Sequence, residues 1–180
     1  ILIFGTVENS QAPSAEAGTY DVVVVVEGTP GPALVRKKAN VGGLWINIRK
    51  VRFASFPSYY AIASTRPVEE IAEKDVRDAL QIGFSHVRMV PSGGLSSTPR
   101  DETDAGDFRS AVIRLKQRER LYVTADYGVT FIGRSLFRST ISLPPNVPVG
   151  PLTTRLYLFK DGQLLSQYKS IVNLERTGLE

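Results

Sequence analysis

The feature that most constrains this chain is a run of five valines, Val22 to Val26. It is flanked by Tyr20-Asp21 on one side and by Glu27-Gly28-Thr29-Pro30-Gly31-Pro32 on the other. β-Branched side chains lose rotamer freedom in a helix and pack well on a pleated sheet. A half-wet strand alternates apolar and polar residues, whereas a short unbroken apolar run is a strand covered on both faces. The Gly/Pro cluster behind it is turn chemistry. Any fold for this chain must therefore place Tyr20 to Glu27 inside a sheet with material above and below it.

Most of the remaining pattern has the period of strands. Ile1 to Val7 reads as a short strand, followed by a Ser/Ala/Pro/Gly-rich loop over 9–18. Ala33 to Lys38 is a further strand. After Gly42-Gly43, alternation puts Trp45 and Asn47 on one face and Leu44, Ile46 and Ile48 on the other. Arg49 to Phe56 continues to the break at Pro57, and Tyr59 to Ser64 follows. Towards the C-terminus, Val129 to Ile132, Ser135 to Leu143, Leu152 to Phe159 and Gln163 to Leu174 are strands, the last two joined by an Asp161-Gly162 hairpin turn.

Two segments switch to helical period. From Pro67, apolar residues recur at Val68, Ala72, Val76 and Ala79/Leu80, with Glu69 and Glu70 at the positive end of the dipole and Gly83 as the stop. A second helix starts near Asp107 as N-cap, burying Phe108, Ala111, Val112, Leu115 and Tyr122. Pro91 to Gly106 between them reads as a loop. The prediction is a mainly β chain: an Ig-like antiparallel β-sandwich, one domain over 1–180, with a two-helix insertion over about 67–122.

Composition narrows the function. The 22 Lys and Arg exceed the 18 Asp and Glu by four, a mild excess spread along the chain. Without an RNP-type aromatic motif or zinc-finger spacing, nucleic acid is not an expected partner. The absence of cysteine excludes disulfides, thiolate metal sites and Cys nucleophiles. No run reaches the roughly 20 apolar residues of a membrane span.

No catalytic, cofactor or metal constellation stands out, and a non-enzymatic role is expected. His86 is the only histidine, in an apparent strand edge, and no serine sits in a Gly-x-Ser-x-Gly elbow. The acidic stretch Asp101 to Asp107 lacks the ordered ligand spacing of a calcium loop. Two surfaces remain. Trp45, Tyr59, Tyr60, Arg66 and His86 are candidates for a groove between sandwich and insertion, the site that ligand binding or catalysis would need. Arg109, Arg114, Lys116, Arg118 and Arg120 are candidates for a basic helix face that meets anionic lipid or an acidic partner.

Several blocks together carry a resemblance: Tyr20 to Val26, Gly43 to Asn47, Pro57 to Pro67 with its Ser64-Thr65-Arg66-Pro67 core, Arg114 to Glu119, and Leu143 to Gly150. The chain resembles, over nearly its whole length, the alphaproteobacterial "putative transmembrane protein" family, whose members have no assigned activity. The resemblance implies a signal peptide in the precursor, a β-rich periplasmic region and one transmembrane helix near the C-terminus. It implies that Ile1 follows a missing N-terminal strand and that Glu180 precedes the membrane helix. Members are often encoded near a sulfite-exporter-type permease. The implied role is a protein-interaction or accessory module on the periplasmic side of the inner membrane, its partner another membrane or envelope protein.

Overall fold

The valine run forms the middle of a sheet covered on both sides. In the computed structural model, which describes residues 1–8, 20–92, 99 and 102–175, β2 (Tyr20–Glu27) lies third in a five-stranded sheet. The other strands are β5 (Tyr60–Ser64), β7 (Tyr122–Ala125), β10 (Gly150–Lys160) and β11 (Gln163–Leu174), in the order β11-β10-β2-β5-β7. All five valines are at most 1% exposed. Val24 pairs with Ala63, whose Cβ lies against Gly128, just before β8 (Val129–Ile132). Val23 pairs with Tyr157, whose hydroxyl donates to Leu80 O at the end of a helix. Even-numbered valines therefore face a second sheet and odd-numbered ones face helices.

That second sheet has the order β1-β9-β8, with β1 (Leu2–Thr6) and β9 (Leu136–Thr140), all antiparallel. β1 approaches β9 closely because residue 5 has no side chain: a Cβ on Gly5 would fall 2.2 Å from Phe137 Cζ. A third sheet has the order β3-β4-β6, with β3 (Pro30–Val41), β4 (Leu44–Pro57) and β6 (Val90–Ser92). Among the described residues three α-helices accompany the sheets: α1 (Val68–Ile71), α2 (Lys74–Leu80) and α3 (Glu102–Arg118). The protein is mainly β, a β-sandwich with a helical insertion.

Several local expectations are corrected. The sheet containing β2 is mixed, because β5 and β7 pair in parallel. Parallel neighbours need a long crossover, and residues 65–121 supply one that includes all three helices. The segment after Pro67 is two helices, not one. Ala72 is extended (φ −140°, ψ 141°), so Ile71 and Ala72 are both buried, a consecutive pair that a 3.6-residue period does not place on one face. α2 ends at Gln81 in the left-handed conformation, two residues before Gly83.

α3 begins at Glu102, so Asp107 lies inside it and is not its N-cap; Tyr122 belongs to β7, and Leu115 is exposed. The expected 91–106 loop yields a strand and a helical turn at its two ends. Pro91 is tolerated in β6 because that strand is an edge. His86 closes a short 3-10 turn, Phe84–His86, rather than sitting in a strand. The expected loop over 9–18 lies outside the described residues, apart from its neighbours.

Candidate functional site

The five groove candidates do not line one cavity. Tyr59 and Tyr60 are consecutive in extended backbone and point to opposite faces of the large sheet. Tyr59 is fully buried and donates to Ser142 O at 3.1 Å. Tyr60, also fully buried, donates to Gln81 O at 2.7 Å on the helix side and packs against Phe84 and Tyr122. Burial pushes the Tyr59 hydroxyl up to about 12 and raises those of Tyr60 and Tyr122 as well.

Arg66 grips Asp21 with two groups, Nη2 on Oδ2 at 2.8 Å and Nε on Oδ1 at 3.1 Å. Thr65 Oγ1 donates to the same carboxylate at 2.8 Å and accepts from Val22 N. The Ser64-Thr65-Arg66-Pro67 block is thus a clamp on the start of β2. His86 Nδ1 is bonded to Asp78 Oδ1, and that bond lowers the Asp78 pKa. Trp45 stands apart from all four, 69% exposed near the end of the β3–β4 hairpin.

The basic helix face is divided by the fold. Arg109 donates to Ser85 O at 2.8 Å and to Val87 O at 3.1 Å, which ties α3 to the 3-10 turn. Lys116 lies over the Phe56 ring, 5.3 Å from its centroid. Arg114, Arg118 and Arg120 remain on the surface. Of the acidic stretch, Asp104 and Asp107 turn towards the hairpin, pairing with Arg49 at 2.6 Å and Lys37 at 3.4 Å. Among the described residues, no three His, Asp or Glu side chains come together in a way that could hold a metal ion.

One further polar cluster lies beneath the sheet. Arg155 pairs with Glu27 at 2.5 Å and donates to Leu80 O and to the Tyr157 hydroxyl. Burial raises the Glu27 pKa, and the guanidinium beside it partly offsets that rise. Glu27 also borders a shallow hollow of about 310 Å³ with Gln81, Arg88 and Ser55. Arg155 and Tyr157 both reach the Leu80 carbonyl at the end of α2, while the buried Arg155 Nε has no partner among the described residues, so the cluster reads as a fastening between sheet and α2.

The surface feature that sequence reasoning missed is at the other side of the sandwich. β11 and β1 are both edge strands, with no strand on their outer sides among the described residues. They border an open groove of about 750 Å³ lined by Phe137, Leu156, Leu158, Tyr168 and Val172, among others. β11 is twelve residues long, and Leu164, Leu165, Tyr168, Ile171 and Val172 are all exposed on it. The available signal was its composition: Gln163 to Leu174 is apolar at positions of both parities, which a strand with one wet face avoids.

Fold and site together define a β-sandwich with an unpaired, apolar sheet edge, lacking a convergent polar centre among the described residues. The chain belongs to the family described as putative transmembrane protein (Alph_Pro_TM), whose model matches residues 1–180. Comparison with curated proteins and with solved structures gives no match. The family has no established function, and its description associates the chain with membranes. No helix among the described residues is long and apolar enough to cross one.

Proposed function

We propose that this chain is the periplasmic region of a single-pass inner-membrane protein and acts as a non-enzymatic docking module of an envelope or transport complex. The observation that carries this reading is the edge of β11. A long unpaired strand presents a row of backbone donors and acceptors, and proteins ordinarily blunt such edges with charge, proline or a covering element. β11 instead exposes five large apolar side chains and carries one charged residue, Lys169, between Gln163 and Leu174. An extended segment of another envelope protein would add as a sixth strand, with alternate side chains entering the groove beside β1. The family description supports membrane attachment. In this reading the anchor is a helix that is not among the described residues.

The cysteine-free sequence allows a direct test. Leu165→Cys, expressed in the native host, is treated in spheroplasts with a membrane-impermeant thiol-directed crosslinker. A covalent adduct with a second polypeptide is expected. No modification of the thiol overturns the periplasmic placement, and modification without an adduct overturns the docking role.

A further inference from the structure

The β3–β4 hairpin runs beyond the body of the protein. Its base is held by buried Val51, Phe53 and Phe56 and by the Lys37–Asp107 and Arg49–Asp104 pairs to α3. Past that point every residue from Asn40 to Ile48 is exposed. The turn is tightly defined: Gly42 and Gly43 both have positive φ (60° and 86°), and Gly43 N donates to Asn40 Oδ1 at 2.9 Å. The strands pair Val41 with Leu44, Asn40 with Trp45, Ala39 with Ile46 and Lys38 with Asn47, and the register then shifts at Ile48. One face of the tip therefore carries Val41, Leu44 and Ile46, and the opposite face carries Trp45.

Charge is as one-sided as exposure. Between Gly28 and Val68 there is no acidic residue, while the hairpin holds Arg36, Lys37, Lys38, Arg49, Lys50 and Arg52. Arg36, Lys38, Lys50 and Arg52 make no ion pair with any described residue. We propose that the hairpin tip inserts into the interface of a bilayer containing anionic lipid, with Leu44 and Trp45 at the acyl boundary and the cations on the phosphates.

The dimensions agree with this. Lys38 is two residues behind Asn40, the partner of Trp45, which is about 7 Å along a strand. The headgroup layer of one leaflet is about 5–7 Å thick, so a tryptophan at its inner boundary sets the lysine among the phosphates. A groove in a protein partner would cover one face of the ribbon, whereas lipid surrounds both, and the tip exposes a large apolar side chain on each face, Leu44 on one and Trp45 on the other. Glycines at the turn let the apolar end be blunt and narrow. This surface belongs to a different sheet from β11, so the failure of either proposal leaves the other standing.

Trp45 is the only tryptophan in the chain and reports the insertion itself. The chain is mixed with vesicles of zwitterionic lipid, with or without phosphatidylglycerol, while tryptophan emission and vesicle flotation are followed. Expected results are a shift of emission to shorter wavelength and flotation with the anionic vesicles, both weakened by salt. The Leu44→Asp/Ile46→Asp variant should bind at least about tenfold more weakly with its fold unchanged by circular dichroism, since a carboxylate at this depth is disfavoured. No flotation, flotation without an emission shift, or flotation that the double variant retains would each overturn the proposal.

Discussion

β2 and the distal β3–β4 hairpin are both apolar β segments, and the protein places them in opposite surroundings. Val22 to Val26 are buried between a sheet and a helical layer, while Leu44 is 71% exposed at the end of a ribbon. Hydrophobicity alone does not separate the two segments. What separates them is their neighbours in the chain. Beside the valines stands Asp21, which Thr65 and Arg66 clamp, and β2 has a paired strand on either side, β10 and β5. The hairpin apolar residues are bracketed by cations on both strands, which resist burial in a core. Apolar residues flanked by a single sign of charge are placed for contact with something outside the chain.

The comparison can be broken most sharply by putting the same charge into both segments. Val24→Asp sets a carboxylate among fully buried valines with no partner, and a loss of about 4 kcal/mol or more is expected, enough to prevent stable folding. Leu44→Asp should change stability by no more than about 0.5 kcal/mol. Urea denaturation followed by circular dichroism measures both. Comparable losses in the two variants would show that the hairpin is packed in the free protein.

A smaller effect is expected at the rim of β2. Arg155→Met leaves Glu27 without its counter-charge in a partly buried site and should cost about 2–3 kcal/mol. In the parent protein the folded Glu27 pKa lies above its unfolded value, so the native state holds the extra proton between the two. Glu27's contribution to stability therefore falls as pH rises through that window, and removing Arg155 should steepen the fall. Stability measured from about pH 4 to pH 8 tests the sign; a flat difference between variant and parent would contradict it.

Tyrosine burial gives an alkaline counterpart. Tyr59 ionises at about 12 in the folded protein against 10 in its free state, so the stability it contributes is present below 10 and lost as pH rises towards 12. The phenolate absorbance of the buried tyrosines should appear together with unfolding, not before it. Tyr59→Phe removes only the bond to Ser142 O and should cost about 1 kcal/mol.

How much could be read beforehand follows from the range of each interaction. The burial of β2, the β10–β11 turn at Asp161-Gly162 and the strand after Pro57 depend on local chemistry and were legible. Asp161 and Gly162 do adopt the positive φ values (51° and 81°) of that turn. The parallel pairing of β5 with β7 was not legible, because it joins strands separated by the whole insertion. β6 was hidden by Pro91, a residue that argues against a strand unless the edge is known. The groove candidates failed for a similar reason: Tyr59 and Tyr60 alternate across a sheet whose two coverings come from distant segments. Trp45 was noticed, but core packing is the ordinary fate of an aromatic on an alternating strand. Its exposure follows only from the length by which the hairpin outruns α3.

The apolar surfaces left outside the core, the hairpin tip and the β11 edge, are assigned to different neighbours. A photoreactive residue placed at Leu44 or at Leu165, activated in native membranes, tests that assignment most directly. The account predicts lipid adducts from position 44, a discrete protein adduct from position 165, and neither from exposed Arg134. Adducts indistinguishable among the three positions would contradict it.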